Sequence, residues 1–189
     1  MKNSILILFV IASIIPQLVI AQNWTFQPNQ SQLNWTGKAA FSAYALSGTI
    51  QLKSAEITMG NENIQLGKFV VDMKTIDSEM KDLTKHLKSK DFFEVKKYKT
   101  TVFELTQIKL SEENQWIAEG NLTIKEKTKP ITFLITQSIV DSQLLVKGKA
   151  IINRTDFGIT FNSPSFFEKM KDQAIADDFE LNFELMFIQ

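Results

Sequence analysis

The stretch that decides the fold is Phe179-Glu180-Leu181-Asn182-Phe183-Glu184-Leu185-Met186-Phe187, near the end of the 189-residue chain. Every second residue in it is Phe or Leu, and the residues between them are mostly polar. Successive side chains of a strand point to opposite faces, so this alternation places the apolar side chains on one face and the polar ones on the other. The pattern predicts a half-buried β-strand.

The same period of two recurs along the chain before this stretch. The apolar residues that share a face are Leu33 and Trp35; Leu46, Ile50 and Leu52; Phe69, Val71 and Met73; Phe103 and Leu105; Trp116, Leu122 and Ile124; Ile131, Phe133 and Ile135; and Leu144, Val146 and Ile152. With a short strand at 56–59, this predicts eight or nine strands. Polar tips such as 60–63 and 111–114 separate several of them, as hairpins require.

Two segments interrupt the alternation. Residues 78–90 carry Met80, Leu83 and Leu87 at helical spacing, with Ser78 as the expected N-cap. Residues 165–176 follow Pro164, which suits the first position of a helix. We therefore expect an all-β fold, an eight-stranded antiparallel lipocalin-like barrel with two short helices as lids, and a β-sandwich is the competing architecture.

The amino-terminal segment predicts export. Lys2 precedes an apolar run, and residues 19–21 end in the small-residue spacing of a cleavage site, so 1–21 resemble a cleavable signal peptide. An uncleaved membrane anchor is the alternative, but Pro16 interrupts the run and it is shorter than the roughly 20 residues that a spanning helix needs. We expect one domain over 22–189, periplasmic or secreted, without a stable membrane anchor after cleavage.

The composition argues against several classes of function. Lysine and arginine together number 21, as do aspartate and glutamate, so no electrostatic reason exists to expect nucleic acid as a partner. The chain has no cysteine, and its one histidine, His86, lies on the predicted first helix without metal-ligand spacing. Neither a phosphate-binding glycine loop nor a nucleophile elbow is present. We therefore expect no cofactor, no metal and no catalytic residue.

Small residues on the apolar faces suggest a hollow interior. A solid core at native density needs large side chains, whereas a barrel of about eight strands is wide enough to hold one small ligand. Bulges or sharp bends of the sheet are the other common reason for glycine within a strand. The small residues on inward faces are Gly37, Gly48, Ala118, Gly120, Gly148 and Ala150.

Several motifs resemble the YceI-like family, in family order and from about Trp24 to Phe187, which is essentially the whole chain after the predicted signal peptide. They are Gly67-Lys68-Phe69-Val70-Val71-Asp72-Met73-Lys74-Thr75-Ile76, His86-Leu87-Lys88-Ser89-Lys90-Asp91-Phe92-Phe93-Glu94-Val95, Gly120-Asn121-Leu122-Thr123-Ile124 with Thr128-Lys129-Pro130, and Arg154-Thr155-Asp156-Phe157-Gly158-Ile159. The resemblance implies an eight-stranded barrel that binds isoprenoids or other long-chain amphiphiles. It implies a periplasmic or secreted protein, and since some members are dimeric, a homodimer is among the expected states.

The chain departs from the family pattern before its first glycine-containing hairpin. Many members carry a histidine there, whereas residues 42–48 contain none. Lys125-Glu126 and Lys99 also stand where many members have glycine and proline. The head-group chemistry of the family is therefore not transferred to this chain.

Our main hypothesis is an exported carrier or reservoir for an apolar long-chain lipid or isoprenoid. The residues expected to line the ligand are Trp35, Leu46, Ile50, Phe69, Val71, Phe103, Trp116, Leu122, Phe133 and Val146, with Phe92, Phe93 and Phe157 closing the mouth. Tyr44, Arg154 and Asp156 are candidates for the polar end of the ligand. The alternatives are a filled barrel that serves as an envelope stress or adhesion module, and an isomerase or hydrolase acting on a bound lipid.

Overall fold

The computed structural model describes residues 24–60, 63–111, 113, 115–167 and 173–189. The predicted signal peptide at 1–21 lies outside these residues. The described residues form nine β-strands, one α-helix and two 3₁₀ turns, at Pro28–Gln30 and Arg154–Phe157. In chain order the elements are β1 (Thr25–Phe26), β2 (Gln32–Ala39), β3 (Ala45–Gly60), β4 (Asn63–Ser78), α1 (Lys81–Leu87), β5 (Thr100–Leu110), β6 (Trp116–Ile124), β7 (Lys127–Val140), β8 (Gln143–Asn153) and β9 (Ile175–Ile188).

The strands close into a barrel. From β2 to β9 each strand pairs antiparallel with the next, and β9 also pairs with β2, which joins the two edges of the sheet. The two-residue β1 pairs with the end of β9, beyond β2. Eight strands therefore form the closed barrel that the sequence predicted, and a sandwich is excluded. Closure pairs the edges that an open sheet would leave unpaired.

Strand β9 shows why the alternating pattern produces this fold. Leu185 and Phe187 are buried inside the barrel. On the outer face, Glu184 lies opposite Lys147 of β8, and their side chains form an ion pair of 3.0 Å. Cross-strand pairs of this kind stabilise one register over its neighbours, because a shift by one residue would turn the charges inward.

The first helix is present but begins later than the sequence predicts. It starts at Lys81, and the expected N-cap, Ser78, is instead the last residue of β4. The Ser78 amide donates to Oγ1 of Thr84 at 2.9 Å, and the Ser78 hydroxyl donates to the carbonyl oxygen of Met80. The N-cap prediction is therefore wrong. Ser78 bonds to Thr84 and Met80 and fixes the junction between β4 and α1, and it does not accept hydrogen bonds from the first backbone amides of the helix.

The second predicted helix is not observed in the described part of 165–176. The amides of Phe166 and Phe167 both donate to the carbonyl oxygen of Ser163 in a turn. Residues 168–172 lie outside the described residues. β9 begins at Ile175, whose partner in β2 is Ala39, so the predicted carboxyl-terminal boundary of this helix is wrong. Strand pairing with β2 outweighs the local helical pattern here.

The two ends of the barrel differ, and we name them the closed end and the mouth. The amide of Ile64, at the start of β4, donates to Oε1 of Gln137 in β7 at 3.3 Å, a bond between strands that are not neighbours. Ile64, Leu144 and Phe187 are at most 1% exposed and fill this closed end. The mouth is formed by α1 and by the connections 40–44, 88–99, 125–126 and 154–174, as far as these are described.

Candidate ligand-binding cavity

A cavity of about 410 Å³ lies inside the barrel. Inward side chains of β2 to β9 form its wall, from Ile64 near the closed end to the mouth, where Leu83 and Leu87 of α1 cover part of it. Nearly all of this surface is apolar. The volume lies within the range of roughly 300–1,000 Å³ that is typical of small-molecule sites.

The cavity reaches solvent at one side of the mouth. Among the residues that the structure describes, the exposed ones on the wall are Lys38, Tyr44, Gln173 and Asp178, which belong to two segments, 38–44 and 173–178. The amide of Ala40 donates to the carbonyl oxygen of Ala174 at 2.8 Å, so these two segments lie side by side. The opening is therefore beside these two segments, at the β2–β3 connection and the start of β9.

Most of the residues that the sequence predicted for ligand contact lie on this wall. They are Trp35, Leu46, Ile50, Phe69, Val71, Phe92, Phe93, Phe103, Leu122, Phe133 and Val146. Trp116 and Phe157 do not lie on it. Trp116 is paired with Leu110 and Ile135 toward the closed end, and Phe157 is buried within the 3₁₀ turn at Arg154–Phe157. Contact of any of these side chains with a ligand stays a prediction.

Some wall residues were not assigned to the ligand site from the sequence. Phe179, Leu181 and Phe183 of β9 lie on the wall. The alternation of that strand already placed them on the apolar face, so the signal was present. Thr101 also lies on the wall and is buried. It precedes Phe103 by two residues, so the alternation of that strand already placed it on the inward face.

Four phenylalanine rings form a continuous row across the wall, which we call the aromatic band. The ring centroids of Phe69 and Phe103 are 6.1 Å apart, those of Phe103 and Phe133 are 5.2 Å apart, and those of Phe133 and Phe183 are 5.8 Å apart. These are ordinary separations for tilted and edge-to-face aromatic pairs. Because the four residues come from β4, β5, β7 and β9, the band passes over β6 and β8.

The inward glycines of β6 and β8 explain how the rings meet over those strands. A Cβ atom on Gly120 would lie 2.5 Å from Cζ of Phe103, and one on Gly148 would lie 2.4 Å from Cζ of Phe183. A Cβ atom on Gly48 would lie 2.6 Å from the indole of Trp35 and closer still to the carbonyl oxygen of Asp77, at 1.9 Å. Each ring therefore occupies the space above a glycine, an arrangement that is also used to stabilise glycines in designed sheets.

This arrangement corrects the sequence interpretation of the small residues. Gly48, Gly120 and Gly148 do not themselves line the cavity. They allow aromatic rings to pack against the wall above them. Because the rings lie against the wall, the space along the barrel axis stays open. Gly37, Ala118 and Ala150 do line the cavity. A Cβ built on Gly37 meets no atom within 4 Å.

Arg154, one of the predicted polar-end residues, lies on the wall but is engaged by the backbone. Its guanidinium donates to the carbonyl oxygens of Ala176, Ile159 and Ile175 at 3.0, 2.8 and 2.9 Å. Burial lowers the pKa of Arg154 from its ordinary value, and the Asp177 carboxylate, 3.7 Å away, opposes that shift. The side chain joins the 3₁₀ turn to the start of β9 and so shapes the mouth.

The other two polar-end candidates are separated from each other. Tyr44 lies on the wall and is exposed, whereas Asp156 is exposed and away from the wall. The structure therefore brings Tyr44 and Arg154, but not Asp156, to the cavity.

The lid over the mouth contains an aromatic cluster around His86. The imidazole centroid lies 5.1 Å from the ring of Phe92 and 4.6 Å from that of Phe161, both in edge-to-face geometry. Its Nε2 atom is 3.7 Å from a carboxylate oxygen of Asp91. The described residues contain no cluster of three or more His, Cys, Asp or Glu side chains that could hold a metal ion. None of the helices among the described residues is long and apolar enough to span a membrane.

Comparison with known protein families gives a match over almost all of the described chain. Residues 24–187 match the family described as the YceI-like domain. A UPF0312 protein of Photorhabdus laumondii is 30% identical over 106 residues, which cover 55% of this chain and 51% of that protein. A UPF0312 protein of Pseudomonas fluorescens is 32% identical over 109 residues, which cover 53% and 57%. The matching region thus spans about half the length of these relatives.

Solved structures with the same fold are more distant in sequence. BcnA of Burkholderia cenocepacia superimposes with a TM-score of 0.72 at 20% identity, over 85% of this chain and 98% of that one. A polyisoprenoid binding domain of Saccharophagus degradans, implicated in plant cell wall breakdown, gives a TM-score of 0.65 at 10% identity, over 88% and 98%. At these identities the likeness shows the fold.

Proposed function

The chain belongs to the YceI-like domain family, as its motifs predicted, and from this premise we propose that it binds one long-chain isoprenoid or fatty amphiphile inside its barrel. We propose that it serves as a carrier or reservoir for that lipid. The observation that carries the proposal is the apolar cavity of about 410 Å³. Side chains fill the barrel at its closed end, and the cavity reaches solvent at the mouth. The polyisoprenoid binding domain of Saccharophagus degradans, which has the same fold, supports this class of ligand.

The chemistry of the wall favours a hydrocarbon chain over a polar ligand. Burying each CH₂ group contributes about 0.8 kcal/mol, and that energy has no directional requirement. A polar ligand would lose its hydrogen bonds to water, at a cost of about 1–3 kcal/mol for each group left unpaired. Because the wall distinguishes shape rather than functional groups, selectivity among chain types should be loose.

The two alternatives account for the cavity less well. A filled barrel that acts only through its outer surface requires a packed interior, which the cavity contradicts. An enzyme acting on a bound lipid requires polar groups that converge on the ligand. The guanidinium of Arg154 is instead directed to three backbone carbonyl oxygens. We therefore propose binding without chemical conversion.

We also propose that the protein acts in the periplasm or outside the cell after cleavage behind Ala21. The support is the sequence of residues 1–21. Mass spectrometry of the protein from its own host tests this, because a mass that includes residues 1–21 would contradict cleavage. The same native spectrum would report a homodimer, which the family resemblance leaves open.

The binding proposal is tested with a fluorescent long-chain fatty acid and a variant that fills the cavity. Gly37→Leu places a side chain where a Cβ meets no atom within 4 Å, so the barrel should fold while the cavity loses volume. We expect affinity for the probe to fall about tenfold or more, the equivalent of about two methylenes that no longer fit. The matched control is Asn34→Leu, an exposed position on the outer face of the same strand, which should bind as the wild type does.

Two outcomes would contradict the binding proposal. One is wild-type protein that takes up no long-chain probe and yields no lipid on organic extraction from its host. The other is a Gly37→Leu variant that is folded by circular dichroism and binds the probe with unchanged affinity.

A further inference from the structure

We propose that the rim of the mouth docks on a lipid bilayer, so that the ligand passes between membrane and cavity without crossing water; this rests on the proposed function. The rim consists of four large side chains that are exposed to solvent. Phe41 is 68% exposed, Tyr44 59%, Phe166 58% and Phe167 48%. Large apolar side chains that are exposed together mark a surface for a partner or a membrane.

The backbone places these four side chains around the opening of the cavity. Phe41 follows Ala40, whose amide donates to the carbonyl oxygen of Ala174 at 2.8 Å. Phe166 and Phe167 belong to the turn at Ser163, next to Asn162, whose carbonyl oxygen accepts from the amide of Ile175 at 2.8 Å. Ala174 and Ile175 both line the cavity. Phe41 and Tyr44 on one side, and Phe166 and Phe167 on the other, therefore flank the segment 173–178, where the cavity opens.

A bilayer fits this rim better than a second protein because of the lipid that we propose as the ligand of the cavity. The closed end is filled by fully buried side chains, so a ligand enters and leaves at the mouth. Each methylene that must cross water slows transfer about fourfold, and direct contact between the mouth and a membrane removes that barrier. Aromatic side chains also favour the interface between water and hydrocarbon.

The charges near the mouth indicate which bilayer. On the side of the mouth where the rim lies, Lys38 and Lys149 are both paired with Glu180. The lysines of the connection 88–99 belong to the opposite side, between β4 and β5. Paired lysines leave little net attraction for anionic lipid, and the chain as a whole carries equal numbers of basic and acidic residues. Docking should therefore depend on apolar contact, occur on zwitterionic lipid and respond little to salt.

The test is flotation with phosphatidylcholine vesicles, using two matched double variants. Phe41→Ser with Phe166→Ser removes exposed rings from the rim and leaves the cavity wall intact. Leu134→Ser with Ile151→Ser removes side chains that are 47% and 62% exposed on the outer wall. We expect the rim variant to bind vesicles at least about tenfold more weakly and to load more slowly from them, while the outer-wall variant behaves as the wild type.

A soluble fluorescent fatty acid separates failure of this proposal from failure of the proposed function. The rim variant should bind that probe with wild-type affinity, whereas Gly37→Leu should bind the probe about tenfold more weakly and still float with vesicles. Docking is overturned if wild-type protein does not float, or if the rim variant floats as well as the wild type. It is also overturned if the rim substitutions convert a dimer into a monomer without changing flotation, because the rim would then be covered by a second copy.

Discussion

The closed end and the mouth of the barrel are built from the same strands, yet they are held together by different interactions. At the closed end, Leu144 and Phe187 are completely buried, and Phe26 packs on Phe187 with ring centroids 5.6 Å apart. The mouth also buries apolar side chains, among them Phe92 and Ile159, but its opening is different. There the segment 173–178 is held by the buried guanidinium of Arg154 and by backbone hydrogen bonds, with Phe41 and Phe166 facing solvent.

The difference shows how one barrel combines stability with access. Buried side chains fill the closed end, where nothing needs to pass. Polar contacts at the opening hold the segment 173–178 in place without filling the space beside it, so local opening there should require less energy than unfolding of the barrel. The predictions below test this division, from the largest expected effect to the smallest.

The strongest test compares phenylalanines at the two ends. Phe187→Ala should lower the free energy of unfolding by about 3–5 kcal/mol, because it removes a fully buried ring and leaves a cavity. Phe41→Ala should change it by at most about 0.5 kcal/mol, because the side chain is exposed. Urea denaturation of both variants measures the difference. Equal losses of unfolding free energy in the two variants would contradict this difference between the closed end and the mouth.

The second test addresses the polar contacts of the mouth. Arg154→Lys keeps the charge, but a single ammonium does not reach three carbonyl oxygens as the planar guanidinium does. We expect a loss of about 2 kcal/mol, from carbonyl groups left without a donor. Hydrogen exchange should accelerate at 173–178 and stay slow at the closed end. Uniform acceleration through the barrel would contradict a local role for Arg154.

The third test asks whether the aromatic band depends on its glycines. Gly148→Ala forces a methyl group against Phe183 and should cost about 1–2 kcal/mol through overpacking. Gly37→Ala, on an inward face with open space, should be neutral or stabilising by about 0.5 kcal/mol. Thermal unfolding of the two alanine variants makes the comparison. A destabilised Gly37→Ala with an unaffected Gly148→Ala would reverse the roles assigned to these residues.

The smallest expected effect concerns an ion-pair cluster near the mouth. Hydrogen bonds from Lys149 and Lys38 lower the pKa of Glu180 from 4.5 to about 2. Glu180 therefore contributes stability above pH 4.5 that is lost as the pH falls from 4.5 toward 2. Because the cluster is near the surface, Glu180→Gln should lower Tm at pH 7 by at most about 3 °C and by nothing near pH 2. An NMR titration of the Glu180 carboxyl that gives an ordinary pKa would contradict this cluster.

The sequence predicts the barrel well because its signal is local. Period-two alternation depends only on which side of a strand each residue occupies, and Leu185 and Phe187 are buried as that rule requires. The helix boundaries were less predictable. Ser78 has the residue type of an N-cap, but its amide binds Thr84 across the junction of β4 and α1, a contact that arises only when the junction has formed.

The candidate site was predicted in part for the same reason. Alternation identified Phe69, Phe103 and Phe133 as inward, and the structure places all three on the cavity wall. It did not reveal that Trp116 lies off the wall, because distance along the barrel axis has no signature in a pattern of period two. Arg154 was identified by its motif, but its three backbone acceptors come from segments that are separate in sequence.

By itself, the sequence determined that β9 is a strand, that its Phe and Leu residues face a core, and that the domain carries the motifs of the YceI-like family. The tertiary structure decided that the core is hollow and where it opens. The physical reason lies in the glycines. A glycine in a sequence is only a missing side chain, and whether the space above it is empty, as at Gly37, or holds a ring, as at Gly148, depends on strands brought together by the closure of the barrel.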